Sequence, residues 1–462
     1  MERTDVAVVG GGPAGAAAGH AAAEAGGDAL VVEKGVPRAD REEPGPDSTD
    51  AAGILDYWVD IMDIHPDEFP DDVVLHELDR AEFVGPRESV TLDATGMESS
   101  YDSFGFCMQR ARFDDFLRER AERAGAGYRV GTPVADVRLD DPDAPRRHAV
   151  ELADGTEVTA DSLVLADGPQ RTVTNRVLDR LLSFDVTERL GTREANHIAY
   201  QEHRRLPPAV AEDVRGAIRF WWGFLPGHTA YPWVFPNDDG VARIGLTMPV
   251  DLDLAAVDRR ERYPLLREDD ETVPSGSEYL RRLLEHEYGD EYDIETDFPL
   301  VEDRGKRGGT ETYPISSTQP VESPVGAGVA VAGGAMGTTS AFHEGGDHVA
   351  VRTGAIAGRL AAEGRLTDYN EAWQTAVGEE VRRNVALAEM CRSYDPSDWD
   401  HVFRTGRELL ARDGAWGMFG VLNAAGTGLD ALRMVGGYKR RKFGLRDGEY
   451  CQIHETDYRY RT

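Results

Sequence analysis

The chain has 462 residues, 40% of them apolar, which provides material for a large buried core and allows about three domains at roughly 150 residues each. Its net charge is −33, and only four of its 51 basic residues are lysines. This composition predicts an acidic surface adapted to a cytoplasm of high salt, where screening reduces self-repulsion. It excludes nucleic acid as a partner, since nucleic-acid binding needs a basic surface.

The three cysteines, Cys107, Cys391 and Cys451, are dispersed along the chain without metal-ligand spacing. They exclude an in-chain iron–sulfur cluster with four cysteine ligands, and no metal is expected. The sequence contains no run of 18 apolar residues, so no membrane-spanning helix is predicted. Because a buried-type strand begins within a few residues of Met1, no secretory signal is expected. The sequence therefore predicts a cytoplasmic protein with at most peripheral membrane contact.

The N-terminal segment predicts a nucleotide-binding unit. An apolar strand over residues 5–9 is followed by a glycine-rich loop, an alanine-rich helix over about residues 16–25 and a second strand that ends at Glu33. Glu33 follows Gly10 by 23 residues, where its carboxylate can accept hydrogen bonds from both ribose hydroxyls. The helix N-terminus offers free N–H groups to the phosphates.

Each glycine of this loop has a predicted role. Gly10 permits the tight turn, Gly12 lets the backbone approach the pyrophosphate, and Gly15 allows close packing of helix and strand. The predicted adenine-dinucleotide contacts of this unit are Gly10, Gly12, Pro13, Ala14, Gly15, Glu33 and Lys34.

Two later segments favour FAD over NAD as the dinucleotide. A strand over residues 163–165 runs into an Asp167-Gly168 turn. A second strand, within residues 328–335, breaks into glycines and leads to a helix over about residues 347–360. That junction can present backbone N–H groups to the ribityl-pyrophosphate and the flavin edge, which an NAD-only enzyme does not need. Its predicted cofactor contacts are Gly333, Gly337, Gly345 and Gly346.

With these elements the chain resembles the aromatic-hydroxylase-like FAD-dependent oxidoreductases and, among them, the geranylgeranyl reductases, which include the digeranylgeranylglycerophospholipid reductases. The resemblance extends from the N-terminus to about residue 390 and includes an Arg-x-x-Phe-Asp element, Arg110, Phe113 and Asp114. It implies that Arg110 contacts the flavin side of the cofactor. The alternative is an arginine at a helix N-terminus that pairs with Asp114.

The stretch Tyr231–Pro236, YPWVFP, is similar to the YxWxFP signature of geranylgeranyl reductases. The resemblance implies that Tyr231, Trp233 and Phe235 line a prenyl tunnel beside the flavin. A polyisoprenoid needs such an apolar slot because each buried CH₂ contributes about 0.8 kcal/mol. The alternative is an alternating strand with aromatic core residues. Thr247 stands where the signature is usually followed by a second glycine.

Three further features depart from related flavoproteins. The late glycine loop begins Gly333-Gly334, where the family generally has Gly-Asp. Residues 43–50 lack the cysteine that many archaeal reductases carry near residue 45. Related flavin halogenases need a catalytic lysine, and no lysine occurs between Lys34 and Lys306, which argues against halogenation.

The resemblance implies an FAD-dependent oxidoreductase that reduces C=C bonds of geranylgeranyl chains on isoprenoid lipids, using an electron donor such as NAD(P)H or ferredoxin. We expect His343 to be the catalytic proton source, with Glu344, Asp47 and Asp50 as alternatives. Two other functions stay open: a dehydrogenase that passes electrons to a quinone or electron carrier, and an NAD(P)H-dependent aromatic hydroxylase.

The predicted fold class is α/β, with a doubly wound, Rossmann-like FAD-binding domain, an antiparallel-sheet substrate domain and a helical C-terminal tail. The tail contains the basic cluster Lys439–Lys442, which is either a solvated helix end or a contact for an anionic membrane. The predicted boundaries are residues 1–65, 100–180 and 325–395 for the FAD-binding domain, 66–99 and 181–324 for the substrate domain, and 396–462 for the tail.

Overall fold

The computed structural model describes residues 2–37, 40, 53–139, 148–185, 196–250, 252–304, 307–316, 320–413, 429–445, 457 and 459. The alternative proton sources Asp47 and Asp50 lie outside the described residues, as does Cys451.

The strands of the described residues are β1 (Glu2–Val9), β2 (Ala29–Val32), β3 (Gly53–Leu55), β4 (Val74–Leu78), β5 (Arg80–Val84), β6 (Ser89–Leu92), β7 (Gly105–Met108), β8 (Gly127–Arg129), β9 (Val134–Leu139), β10 (His148–Leu152), β11 (Glu157–Leu165), β12 (Asn196–Arg205), β13 (Ala217–Trp221), β14 (Tyr231–Pro236), β15 (Val241–Pro249), β16 (Thr310–Ser316) and β17 (Val329–Val331).

The α-helices of the described residues are α1 (Pro13–Glu24), α2 (Asp56–Ile61), α3 (Arg110–Ala124), α4 (Thr172–Leu181), α5 (Pro208–Asp213), α6 (Gly276–Tyr288), α7 (Ile294–Asp297), α8 (Asp347–Ala362), α9 (Tyr369–Cys391), α10 (Pro396–Asp413) and α11 (Leu429–Gly444). The helix expected from about residue 16 begins already at Pro13, because proline suits the first helical turn, where its missing N–H costs nothing.

A largely parallel sheet in the order β8-β2-β1-β11-β10-β9, with β17 also beside β11, holds the nucleotide-binding segments. Strands β2, β8, β11 and β17 join it through parallel pairs, while β9 and β10 form an antiparallel extension. Strand β1 is buried along its apolar half because helices cover both faces of such a sheet. The α/β class predicted from the sequence is confirmed.

A second, mainly antiparallel sheet has the order β16-β12-β15-β14-β13-β5-β6. The aromatic strand β14 lies inside it, between β13 and β15, so its backbone is paired on both sides. Strand β5 joins β13 in parallel. Strands β3, β7 and β4 form a separate small sheet. The two large sheets use the segments expected for the two domains, although the exact boundaries stay a prediction.

Helices α1 and α8 pack with their backbones nearly in contact. A Cβ placed on Gly354 would come 2.0 Å from the Ala14 carbonyl oxygen, and one on Gly358 would come 2.0 Å from that of Ala18. Only glycine fits at these two positions of α8, one turn apart on the same face. This contact holds the N-termini of the two helices side by side at the end of the parallel sheet where β1 stops.

The C-terminal helices close one side of the molecule. Helix α9 packs against α8 and α11, and α10 packs against β6 at the edge of the antiparallel sheet. Trp399 and Phe403 of α10 are buried in the same apolar cluster as Trp222. None of the helices in the described part of the chain is both long and apolar enough to cross a bilayer.

Candidate functional site

A cavity of about 600 Å³ lies between the parallel sheet and the antiparallel sheet. One end is walled by backbone from three glycine-containing loops. The other end is walled by aromatic and aliphatic side chains of the second sheet and of helices α9, α10 and α11. The predicted site residues on its lining are Gly12, Pro13, Ala14, Arg110, Gly168, Tyr231, Trp233, Phe235, His343, Gly345 and Gly346.

The N-terminal loop is shaped by two glycines that cannot be replaced without movement. Gly10 has a φ of 101°, and a Cβ on it would lie 2.3 Å from the Ala166 carbonyl oxygen. A Cβ on Gly15 would lie 1.8 Å from the Gly10 carbonyl oxygen. Gly12, in contrast, has no atom within 4 Å of a Cβ position and immediately precedes α1. The open space at Gly12 suits a pyrophosphate held at the helix N-terminus.

The acidic residue at the end of β2 lies beside this loop. The Glu33 carboxylate accepts hydrogen bonds from the backbone N–H of Gly11 at 2.7 Å and of Gly35 at 2.6 Å. The carboxylate therefore has a fixed position at the end of β2. Lys34 is exposed to solvent.

The Asp167-Gly168 turn serves two purposes. The Asp167 carboxylate accepts hydrogen bonds from the backbone N–H groups of Val173 and Thr174, at 2.6 and 3.1 Å, and so caps the start of α4. Gly168 has a φ of 75°, lines the cavity and has nothing within 4 Å of a Cβ position. The aspartate thus shapes the turn, while the glycine leaves room for the cofactor.

Arg171 ties this turn to the late glycine loop, a role that sequence reasoning missed. Its guanidinium donates to the carbonyl oxygens of Ala335 and Gly334, at 2.9 and 3.3 Å. Burial lowers the pKa of Arg171 to about 10, against the opposing effect of the Asp167 carboxylate. The side chain fixes the spacing between two walls of the cavity.

The late glycine loop ends where α8 begins. Gly333 has a φ of 61°, and a Cβ on it would lie 2.8 Å from the Ala14 Cβ. Gly337, behind the lining, has a φ of 89°. Gly345 and Gly346 line the cavity, and the first turn of α8 follows directly. The N-termini of α1 and α8 therefore open on the same space.

Arg110 lies at the start of α3 and on the cavity lining. Its guanidinium Nη2 is 3.1 Å from Asp114 Oδ1 and 3.5 Å from Asp347 Oδ1. The pairing with Asp114 expected under the alternative interpretation is present, and it does not remove the arginine from the cavity.

The aromatic signature faces the cavity on alternate residues. Tyr231, Trp233 and Phe235 line it, whereas Val234 packs into the core on the opposite face of the sheet. Trp222 stacks on Tyr231 with ring centroids 4.4 Å apart. This wall is thus built from aromatic faces and edges, which suits an apolar ligand.

The signature is joined to the late glycine loop by a hydrogen bond from the Tyr231 hydroxyl to the His343 carbonyl oxygen, at 2.6 Å. The His343 ring lies 5.9 Å from Trp58 by centroids, and its Nδ1 accepts from the Gly345 N–H at 3.2 Å. Burial, reinforced by the charge of His348, lowers the pKa of His343 to about 3. The imidazole is therefore neutral at physiological pH.

A buried ion pair supports the Trp58 wall from behind. His348 stacks on Trp58 at 3.9 Å, and its Nε2 is 2.5 Å from Glu380 Oε1. Burial opposes ionisation of Glu380, but the charge and hydrogen bond of His348 dominate and lower its pKa to about 2. No sequence motif indicates this pair, because its partners are 32 residues apart on two helices.

Glu344 has a left-handed backbone, with a φ of 58°, and its carboxylate turns towards the second sheet. Its Oε1 lies 2.5 Å from His197 Nδ1 on β12 and 3.3 Å from the Thr229 Oγ1. The Thr247 hydroxyl donates to its Oε2. In the sequence analysis Glu344 was only an alternative proton source, and His197 was not identified. The presence of Thr247 where the family usually has a glycine was the one sign of a polar contact here.

The far end of the cavity was not predicted as part of the site. It is lined by Phe83 and Leu92 of the antiparallel sheet, by Trp399 and Phe403 of α10 and by Tyr438 of α11. The helical tail therefore supplies part of the cavity wall.

These residues fit FAD. Two helix N-termini and the open backbone at Gly12 and Gly168 provide room and N–H groups for the diphosphate and the flavin edge.

Comparison with known proteins agrees, since residues 3–191 match the FAD binding domain family. Over 393 residues the chain is 28% identical to a digeranylgeranylglycerophospholipid reductase of Methanopyrus kandleri, covering 82% of this chain and 84% of that protein.

The chain is an FAD-dependent oxidoreductase, related to the geranylgeranyl reductases.

This flavoprotein has further relatives. It is 28% identical over 399 residues to a menaquinone reductase of Mycolicibacterium smegmatis, covering 84% of this chain and 83% of that protein. A digeranylgeranylglycerophospholipid reductase of Methanosphaera stadtmanae is 26% identical over 262 residues, 55% of this chain and 57% of the relative's length. The fold matches a geranylgeranyl bacteriochlorophyll reductase-like protein of Thermoplasma acidophilum, with a TM-score of 0.68 at 19% identity over 97% of this chain and 99% of that one.

Proposed function

We propose that this flavoprotein reduces C=C bonds in the isoprenoid chains of lipids. The observation that carries the proposal is the continuity of the cavity, which extends from the glycine loops of the FAD cradle, along Trp233, to Phe403 on α10. A cavity lined mainly by apolar side chains and continuous with the glycine loops that fit FAD suits a long hydrocarbon substrate. The relatives named digeranylgeranylglycerophospholipid reductase support this substrate class.

In such a reaction the cofactor and the aromatic side chains of the cavity have separate roles. Bound and reduced, FAD supplies a hydride to one carbon of the double bond. The aromatic face of Tyr231, Trp233 and Phe235 holds the prenyl chain in one plane and excludes water. Each buried CH₂ of the chain contributes about 0.8 kcal/mol, so several isoprene units bind tightly without any polar contact.

Each group of site residues predicted from the sequence has a role in this proposal. The glycines of the two loops, with Pro13, Ala14 and Glu33, hold the dinucleotide. Arg110 contacts its flavin half from the start of α3. His343, through its neutral ring and the carbonyl that accepts from Tyr231, is a residue that orients the substrate. Its low pKa makes it a weak source of protons.

The physiological context is also part of the proposal. The electron donor is a soluble carrier such as NAD(P)H or ferredoxin, and the protein works in a cytoplasm of high salt, where its charge of −33 is screened. Peripheral contact with the membrane would bring lipid to the channel. Lys442 of the basic cluster pairs with Glu379 and stacks over the Tyr438 ring, so the cluster also has a structural use.

The test is a single turnover of the flavoprotein in high salt. The protein is reduced without oxygen and mixed with an unsaturated archaeal lipid or, as a control, with its saturated counterpart. We expect reoxidation of the flavin only with the unsaturated lipid, together with the addition of two hydrogens per bond by mass spectrometry. Reoxidation that requires oxygen and an aromatic substrate, with a hydroxylated product, would refute the proposal.

One relative favours a second candidate, the transfer of electrons to a quinone, because it is named menaquinone reductase. The same assay separates the two. A quinone without a prenyl chain reoxidises the flavin if the head group is the acceptor, and leaves it reduced if the double bond of a side chain is required.

A further inference from the structure

We infer that Glu344, His197 and His228 form a proton pathway from the protein surface to the substrate channel, with Glu344 as the group that protonates the substrate. This inference rests on the proposed function, since it supplies the proton that saturation of a double bond needs. It extends that function to three residues of which the sequence singled out one.

The inner end of the pathway is the contact between Glu344 and His197. Glu344 lines the substrate channel, yet its carboxylate is held against His197 Nδ1 at 2.5 Å. The side chains are 3% and 2% exposed, so bulk water does not reach the pair directly. A proton that the carboxyl group of Glu344 gives up on the channel side can be replaced from the imidazole of His197 on the other side.

Two threonines hold the carboxylate in this place. Thr247 donates to one carboxylate oxygen and Thr229 to the other, and His197 Nδ1 is also 3.3 Å from the Thr247 hydroxyl. The Thr247 side chain thus bridges both partners, which a glycine at this position would not do. The left-handed backbone of Glu344, which is strained for a residue with a Cβ, aims the side chain at this cluster.

The outer end of the pathway is His228. Its ring stands edge-on to His197, with centroids 5.5 Å apart. His228 also lines a surface depression, whose other members include the exposed Asp258 and Arg259. The three residues therefore lead from a surface depression, past β12, to the wall of the channel.

The charges around His228 suit an exchange of protons. Burial, followed by the charges of His197 and Arg392, lowers its pKa, while Glu344 and Glu389 act in the opposite direction. The hydroxyl of Tyr231, which faces Glu344 from β14, has its pKa raised well above the ordinary value, mainly by burial and then by the carboxylate, and stays protonated. A histidine whose pKa is lowered releases its proton readily, here in the direction of the Glu344 carboxylate.

The reaction balances with these groups. The π bond of the substrate breaks and two C–H bonds form, one with the hydride and its electron pair from the reduced cofactor, the other with the proton of Glu344. The carboxylate then takes a proton from His197, and His197 regains one from the depression through His228. His343 is a poorer donor, because its neutral ring accepts from the Gly345 N–H.

The first test uses the FAD-bound protein and needs no substrate. Nuclear magnetic resonance of ¹⁵N-labelled histidine follows the titration and tautomer of His197 and His228 in the wild type, in E344Q and in the control H65N, an exposed histidine. We expect both the His197 and His228 titrations to shift in E344Q and neither to shift in H65N. Unchanged titrations in E344Q overturn the pathway, whatever the substrate.

The second test is the single turnover with unsaturated lipid. We expect E344Q to slow flavin reoxidation by about 100-fold or more with its FAD content unchanged, since general-acid catalysis contributes ~10²–10⁴-fold. E344D, which keeps the acid, should recover part of the rate if E344Q folds poorly. H228N should slow repeated turnover and be rescued by added imidazole, which a structural histidine would not be.

The failures are distinguishable. A wild type that reduces no prenyl lipid, while E344Q still shifts the His197 titration, overturns the proposed function and supports the pathway. A wild type that reduces the lipid, with E344Q and H228N equal to it in rate and in pH profile, overturns the pathway and leaves the function standing.

Discussion

The ring of Trp233 lies against Gly245 on the neighbouring strand, so closely that a Cβ on Gly245 would come 2.5 Å from Trp233 Cε2. The two residues are opposite each other in the antiparallel register of β14 and β15. The missing side chain of Gly245 lets the indole lie over the sheet while it lines the channel. The glycine that follows the aromatic signature therefore sets the position of an indole in the channel wall.

Replacement of Gly245 by alanine should move the indole of Trp233 and narrow or distort the channel. We expect a higher KM for prenyl lipid and an FAD content equal to that of the wild type, because the cofactor loops lie on the other sheet. Steady-state kinetics and the flavin absorbance measure the two effects. The control is Gly436→Ala on α11, where a Cβ has open space. An unchanged KM in Gly245→Ala would show that the contact is not needed for substrate binding.

Removal of the indole itself tests the channel more directly. Trp233→Ala should weaken use of prenyl lipid by about 10-fold or more, because a tenfold loss is ~1.4 kcal/mol, about the contribution of two buried CH₂ groups of the substrate chain. Trp233→Phe should keep most of the activity because it keeps an aromatic face. If Trp233→Ala instead loses bound FAD, the ring is a core residue and not a substrate contact.

Replacement of Gly15 and of Gly12 by alanine should affect different properties of the protein. Gly15→Ala forces a Cβ to within 1.8 Å of the Gly10 carbonyl oxygen. We therefore expect its melting temperature to be lower than that of the wild type, even when no FAD is bound. Gly12→Ala meets no protein atom within 4 Å and should fold like the wild type, but bind FAD more weakly. Thermal unfolding of the flavin-free protein and an FAD titration separate these outcomes. Equal melting temperatures for both variants would contradict the assignment.

The pair of His348 and Glu380 predicts a pH dependence of stability. The folded-state pKa of Glu380 is about 2, against 4.5 for an unperturbed glutamate. A depressed pKa contributes stability that is present above about pH 4.5 and is lost as the pH falls towards 2. We expect the free energy of unfolding of Glu380→Gln, measured with denaturant, to be lower than that of the wild type at neutral pH and to converge with it in acid. Glu371→Gln, on the exposed start of the same helix, is the control.

The N-terminal cradle was predictable from the sequence because its determinants are local. A tight turn, a helix start and a strand end lie within about 30 residues, and each depends on backbone conformation that glycine, proline or an apolar run favours. The prediction of α1 missed only its start, at Pro13. The Asp167-Gly168 turn was predictable for the same reason, whereas the cap that Asp167 forms on α4 is visible only in the structure.

Contacts between distant segments were not predictable in this way. Arg171 reaches the carbonyls of Gly334 and Ala335 across 163 and 164 residues, and Glu344 meets Thr247 across 97. His197 carries no motif, since nothing near it in the chain indicates that β12 brings it to the late glycine loop. The tail was predicted as helical, but its place on the channel wall depends on how α10 packs against the sheet edge.

The sequence by itself determined the cofactor, the α/β class and the aromatic strand, because these depend on residue types at short spacing: glycines at tight turns, an alternation of two along a strand, and a helix start after a loop. Only the tertiary structure decided which side chains meet. It directed Tyr231, Trp233 and Phe235 into one channel with α10, because the burial of a side chain depends on how the layers of the fold pack. It also placed Glu344 against His197, because a charged group needs a partner once it has been removed from water.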